Sequence, residues 1–292
     1  MEDRQVTALT EMMRAVNAGD AKGYARLYAR DAVITIHGGG GLEGRGAIEE
    51  YEVGLLREFP GARLGFYSVW QKGPVAVVHY AVNGRTPGGQ AMGHEGLLFY
   101  RFQPSGLIQE ERRYLDSLTP MAQLGALGPR PARPLPTLPG EMKAHVATGS
   151  PKESESVALV RAVFAALDSK NETAFLSSVA EDAILDEMIE TQPFVGKANV
   201  KAWFERWTAA VPDARTEVTH ILGVGDCALV ETVLRGTLKG PLGRLAASGK
   251  EFAVHRAAIV EVKDGKITRI SAFMNGKELA QAVGQWPLSA PK

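Results

Sequence analysis

Cysteine is almost absent: Cys227 stands alone, so the chain can form neither an internal disulfide nor a cysteine-based zinc cluster, and nothing calls for an oxidising compartment. Net charge is missing too. The 33 Lys and Arg balance the 33 Asp and Glu, which leaves no global positive field to hold nucleic acid or an anionic membrane surface. No run approaches the roughly 18 apolar residues of a membrane-spanning helix, and Met1-Glu2-Asp3-Arg4 lacks the apolar core of a signal peptide. The expectation is a cytoplasmic protein with no nucleic-acid and no membrane partner. The six histidines show neither H-x-H nor H-x-x-x-H spacing, so no metal is expected. The run Gly38 to Gly41 lacks the Gly-Lys-Ser/Thr that would make it a phosphate loop and reads as a turn. No cofactor is implied.

What the chain does have is itself, twice. Ala29-Arg30-Asp31-Ala32-Val33 recurs as Ala180-Glu181-Asp182-Ala183-Ile184, Gly44-Arg45 as Gly196-Lys197, and Pro60-Gly61-Ala62-Arg63 as Pro212-Asp213-Ala214-Arg215. Further along, Gly106-Leu107-Ile108 matches Gly265-Lys266-Ile267, and Gly125 matches Gly284. The spacing between partners is 151 and then 152 positions in the first part of the copies and 159 in the last, and the step from 152 to 159 places an insertion of seven residues between Gly236 and Gly249. That insertion, carrying Lys239, Arg244 and Lys250, is expected as a longer hairpin loop. Order-preserving matches of this kind indicate an internal repeat. Between the copies, Pro129, Pro131, Pro134, Pro136, Pro139 and Pro151 interrupt any period and predict an extended linker. The expected organisation is therefore a first domain over 1–127, a linker over 128–151 and a second domain over 152–288.

Each copy shows the same grammar. Val6, Leu9, Met13 and Val16, like Val157, Val160, Phe164 and Leu167, have helical spacing. A short helix near Tyr24 and a third carrying Ile48, Leu55 and Phe59 follow, the latter matched by Val200, Phe204, Trp207 and Val211. Four runs, Leu64 to Trp70, Pro74 to Val82, His94 to Phe102 and Leu107 to Tyr114, then read as strands. Helices ahead of an antiparallel meander give an α+β class.

This order, together with Leu27-Tyr28-Ala29-Arg30-Asp31-Ala32, Gly44-Arg45-Gly46-Ala47-Ile48, Phe59-Pro60, and Tyr114-Leu115-Asp116 followed by Gln123-Leu124-Gly125, resembles SnoaL-like polyketide cyclase domains of the ketosteroid-isomerase-like superfamily. The resemblance covers nearly all of both copies. It implies two tandem cones, each of about three helices packed on a curved, mainly antiparallel sheet around an apolar cavity. It also implies that the copies pair with each other as an internal pseudo-dimer in a monomeric chain. The implied activity is cofactor-independent acid/base chemistry, of the cyclase or isomerase type, on a small hydrophobic carbonyl compound. A small-molecule binding or carrier protein is the alternative, and a purely structural second half a third reading.

The resemblance places the acid/base at Asp116, after the aromatic Tyr114. Asp116-Ser117-Leu118-Thr119-Pro120 equally suits a helix N-cap, and Asn275 stands at the equivalent position in the second copy, where it caps as well but cannot exchange protons. Amide bonding of the Asp116 carboxyl would favour the cap. His79 and Glu231 hold equivalent places in apolar strands, facing either a cavity, where His79 could assist Asp116, or an interface between sheets. Asp186 and Glu187, with Glu190 close by, read as a solvated edge in preference to cavity acids working with His255. Tyr24 and Tyr28, and Trp203 and Trp207 four apart on one helical face, are candidate cavity walls or core. The expected ligand-binding set is thus Tyr24, Tyr28, Trp203, Trp207, Glu231, His255 and Asn275. If the protein is an acid/base enzyme, only the first copy is expected to hold a carboxyl with a raised pKa.

Overall fold

The computed structural model describes residues 2–128, 131–243 and 245–288. The chain divides into two compact units after Val146, each an α+β cone.

The first unit opens with α1 (Glu2–Ala18), whose inward face is Leu9, Met12 and Val16, with Met13 only partly buried. α2 (Ala21–Arg26) starts where the Asp20 carboxylate accepts the Gly23 amide at 2.8 Å. The chain then enters β1 (Tyr28–Ile36), turns through β2 (Gly40–Glu43) and forms α3 (Arg45–Glu58). The repeated Gly-Arg/Lys motif has its cause here. Gly44 sits at φ 83° and Gly196 at φ 82°, a left-handed conformation that a side chain would strain, and each amide bonds back to the preceding strand, Gly44 to Ala32 and Gly196 to Ala183.

The four expected strands follow as β3 (Arg63–Lys72), β4 (Val75–Arg85), β5 (Ala91–Phe102) and β6 (Ile108–Leu115), with α4 (Leu118–Gln123) after them. They pair antiparallel in sequence, and β6 then takes β1 in parallel. The segment expected as a linker belongs from 131 to 146 to this first unit. Asn83 donates to the Pro136 carbonyl at 2.7 Å, Tyr67 to Thr137 at 2.7 Å and Gln123 to Arg133 at 3.0 Å, and β7 (Lys143–Val146) adds a parallel edge to β3. The sheet order is β2-β1-β6-β5-β4-β3-β7.

The second unit repeats the plan with α5 (Pro151–Asp168), α6 (Glu172–Ser177), β8 (Val179–Glu187), β9 (Phe194–Val195) and α7 (Lys197–Ala210). Then come β10 (Arg215–Val224), β11 (Cys227–Thr237), β12 (Glu251–Lys263), β13 (Lys266–Met274) and α8 (Gly276–Ala282), in sheet order β10-β11-β12-β13-β8-β9. The insertion lies between β11 and β12. It turns Leu238, Leu242 and Leu245 into the second core, and its Lys239 and Gly240 amides bond to the Ala210 carbonyl. Arg244 lies outside the described residues.

Strand alternation sorts the sheet faces. Ala76, Val78 and Tyr80 of β4 and Leu98 and Tyr100 of β5 belong to the core under the helices, so His79 and Leu97 point to the opposite face. Val230, Leu234, Val254 and Ala258 do the same in the second unit, so Glu231 and His255 point away from its core.

Candidate functional site

Asp116 is 3% exposed, and its carboxylate accepts the Leu118 amide at 3.2 Å, the Thr119 amide at 3.0 Å and the Thr119 hydroxyl at 2.9 Å. It holds the first amides of α4 from the position before the Ser117 N-cap. Asn275 caps α8, accepting the Lys277 amide at 3.1 Å. His79 lies 2.9 Å from the Glu95 carboxylate and its ring packs 4.6 Å from that of Tyr67. Burial works against the Glu95 charge, but the hydrogen bond from His79 and that histidine's charge outweigh it and hold the carboxyl below its usual range. Tyr114 packs between His37 and Phe99, with ring centroids at 4.5 Å and 5.8 Å. None of these three side chains belongs to the core under the helices.

That core holds a different constellation. Arg113 donates from Nε to Glu111 at 2.5 Å and from Nη2 to the Tyr24 hydroxyl at 2.7 Å. The Tyr24 and Tyr28 hydroxyls are 2.8 Å apart, and Tyr28 donates to the other oxygen of Glu111. Since the Tyr28 proton is committed to Glu111, Tyr24 donates to Tyr28, and the four side chains close a ring in which every proton has a direction. Arg45 fixes one member by donating to the Tyr28 carbonyl from Nε at 2.9 Å. Burial pushes the Tyr24 and Tyr28 phenols well up. It also opposes the charge on Arg113, yet Glu111 and the two tyrosines outweigh it and raise the guanidinium's pKa.

Beside the ring stands Glu52, on the inward face of α3 one turn after Ile48. It is 5% exposed, and among the described residues its carboxyl makes no hydrogen bond. Burial raises its pKa, Arg113 lowers it and Glu111 raises it again. Tyr80 meets the half-buried His94 at 3.2 Å, and burial lowers the His94 pKa to about 4. Of the expected cavity-wall or core residues of the first copy, Tyr24 and Tyr28 are buried in its core, and Glu52, His94, Glu111 and Arg113 beside them are not singled out by the sequence alone.

Strand registers align the second unit with the first, and the chemistry inverts. Tyr28 opposite Ile108 becomes Val179 opposite Ile267. Tyr100 becomes Val260, and His94 becomes Val254. Glu111 and Arg113 become Ile270 and Ala272, and on the helices Tyr24, Tyr51 and Glu52 become Phe175, Trp203 and Phe204. The paired positions Tyr80 and Gly96 become Thr232 and Arg256, while Ile36 becomes Glu187. Arg256 donates from Nη2 to the buried Glu187, whose pKa burial raises and Arg256 lowers, with Glu190 and Asp186 raising it further. This corrects two expectations. Glu187 is buried instead of lying on a solvated edge, although Asp186 and Arg269 face each other at 3.9 Å. A carboxyl pushed towards protonation occurs in both copies.

Around Arg256 lies a narrow apolar cavity of about 20 Å³, walled by Trp203, Phe175, Val160, Leu185 and Val230 among others, with Thr232 the second polar group. Trp207 stacks behind Trp203 at 6.3 Å. His255 pairs with Glu278 at 3.0 Å and Glu231 with His220 at 3.3 Å, both away from the cavity.

A model of the SnoaL-like domain matches residues 9–111 and again 160–270, which is most of the chain. The chain belongs to the SnoaL-like domain family. No curated protein matches this tandem SnoaL-like chain. Similar solved structures include a protein assigned as a SnoaL-like polyketide cyclase from Jannaschia sp. CCS1, 18% identical, with TM-score 0.44 over 47% of this chain and 97% of its own. Another, assigned as a polyketide cyclase from Pseudomonas putida KT2440, is 26% identical, with TM-score 0.38 over 42% and 94%. A third, from Catenulispora acidiphila, has a ketosteroid-isomerase-like fold and was solved with trimethylamine; it is 21% identical, with TM-score 0.39 over 43% and 92%. Among the described residues no helix is long and apolar enough to cross a membrane.

Proposed function

We propose that the first SnoaL-like domain performs cofactor-independent acid/base chemistry on a small hydrophobic carbonyl compound, with Glu52 as the group that moves the proton. The observation that carries this reading is a buried carboxyl without a hydrogen bond beside a closed ring of oriented donors. Asp116 and Asn275 share a capping role, whereas the ring and Glu52 exist in one copy only. In the proposed step the Glu52 carboxylate takes a proton from the carbon next to a substrate carbonyl, and the C–H electron pair passes to the carbonyl oxygen. Arg113, held by Glu111 and Tyr24, retains N–H groups for the enolate, and Glu52 then returns the proton to a different atom. A carboxylate made more basic by burial is better matched to this task than an exposed one. We assign the protein to the cytoplasm, consistent with its single cysteine and open to test by cell fractionation.

The test is hydrogen exchange into a small ketone such as 2-tetralone in D₂O, followed by NMR. Glu52→Gln is expected to lower the catalysed rate by about a hundredfold or more, while Asp116→Asn, which keeps a competent cap, stays near the wild-type rate. The opposite pattern would return the chemistry to Asp116.

A further inference from the structure

The cavity in the second cone, at about 20 Å³, holds a water and no organic molecule. A larger molecule enters only if part of the cone moves, and the insertion between β11 and β12 is built to do so. β10, β11, β12 and β13 pair antiparallel in turn, and β8 joins β13 in parallel. The end of β11, the start of β12 and the end of β8 therefore lie at one end of the sheet. In the first copy the matching hairpin is a tight turn, in which Gly89 donates to Thr86 at 2.8 Å and Pro87 to Gln90 stay exposed. In the second copy the chain crosses that end as a strap. Leu242 and Leu245 exchange backbone hydrogen bonds at 2.9 Å and turn inward, 6% and 7% exposed, whereas Pro241, Gly243, Ala246 and Ala247 face solvent. A Cβ at Gly243 would lie 3.9 Å from the Glu190 carboxylate, so the span reaches across to the end of β8.

The strap is tied firmly at its root. The Lys239 and Gly240 amides both donate to the Ala210 carbonyl, at 2.9 and 3.0 Å, and the Ser248 and Gly249 amides donate to that of Leu238, at 3.0 and 2.9 Å. Beyond the root, Gln285 clasps it: the Ala246 amide donates to Oε1 at 3.0 Å, and Nε2 donates to the Ala246 carbonyl at 2.6 Å. The clasp is exposed to water. Gly240 and Gly249 flank the span, where a hinge needs conformational freedom. A thin span with exposed hydrogen bonds opens well before the fold does.

We propose that residues 241–247 are a latched lid on the second cone, with Gln285 as the latch, and that Leu242 and Leu245 occupy a site for a small, uncharged apolar molecule until the lid opens. Both leucines belong to one core cluster with Trp207, Leu234 and Val254, so their withdrawal leaves an apolar space. A cavity of about 150 Å³, the size left by truncating one buried leucine, already takes benzene. The lid is independent of the proton chemistry proposed for the first cone, because its root, latch and leucines all lie in the second unit.

The experiment follows amide hydrogen exchange and benzene binding by NMR on the full chain, with binding read from the Leu234 and Val254 amides. Gln285→Ala is expected to speed exchange at Leu242 and Leu245 about tenfold and to leave Lys239 and Gly240 at wild-type rates. Benzene affinity should rise by the same factor, since apparent affinity scales with the open fraction. A second variant exchanges residues 238–250 for the Thr86–Gln90 turn of the first copy. Arg85 pairs with Ala91 as Thr237 pairs with Glu251, so the hairpin keeps its register, and benzene should bind at least tenfold more tightly than to wild type. Unchanged exchange in Gln285→Ala, or equal acceleration of lid and root, would overturn the lid. Faster exchange without tighter benzene binding would overturn the site beneath it. Should the shortened chain fail to fold, the paired measurements on Gln285→Ala decide alone.

Discussion

His94 shows how far one half-buried ring sets the chemistry of its surroundings. Its pKa falls to about 4 because burial penalises the cation, so between that value and the ordinary 6.5 of the unfolded chain the unfolded state binds the extra proton. Stability contributed by neutral His94 is therefore complete above pH 6.5 and is lost as pH falls, approaching roughly 3 kcal/mol near pH 4. Glu52 works in the opposite sense, since a raised carboxyl pKa favours the folded state on the acid side, but it is common to wild type and His94→Gln. Urea unfolding of the two proteins at pH 7 and pH 4.5 should show a steeper acid loss in wild type; parallel losses would sink this account. Much of the residue chemistry was hidden by its context in the sequence. Glu110-Glu111-Arg112-Arg113 reads as a solvated charge run, yet strand alternation sends Glu111 and Arg113 inward while Glu110 pairs with Arg101 at 3.0 Å on the other face. Glu52 was legible only as the residue four after Ile48 on a buried helical stripe, a place where the pattern leads one to expect an apolar side chain. Tyr24 and Tyr28 could be read because aromatics belong indoors.

Among the elements, the four-strand meander and its helices were readable from period and punctuation, and β1 was not. Its Ala29-Arg30-Asp31-Ala32 start carries charge in mid-strand, and parallel pairing with β6 is a distant contact that no local pattern announces. The proline-rich stretch misled for a related reason. Prolines forbid internal period, but they do not forbid docking, and here 131–142 lies along the first sheet before β7 covers the β3 edge. The tightness of that docking can be tested at Gly65, where an added Cβ would come within 2.7 Å of the Pro139 ring. Gly65→Ala should cost about 1–3 kcal/mol and should open 131–142 to proteolysis at a protease concentration that spares wild type. A variant as resistant as wild type would mean that the segment is held elsewhere.

For the whole molecule, the repeat and its family resemblance were plain in the sequence, since two copies of a pattern confirm each other. The chemical difference between their interiors was not, because it rests on which residues share a register position across strands. A chain carrying both copies is expected to scatter light as a monomer of 31.4 kDa; a stable mass twice that would refute the expectation that the second copy stands in for a partner chain. The exchange of Tyr80 and Gly96 for Thr232 and Arg256 bears also on history. A Cβ at Gly96 would lie 2.4 Å from the Tyr80 ring, so a large side chain cannot arrive there while the tyrosine remains. Losing the tyrosine first leaves a void in a packed core, which is itself destabilising. Either order passes through a weakened intermediate, so one arrangement is not converted into the other by single substitutions without a loss of stability. The two cones are held to separate fates by a steric ratchet, and recombination between the copies would be expected to yield chimaeras that fold poorly unless both positions travel together.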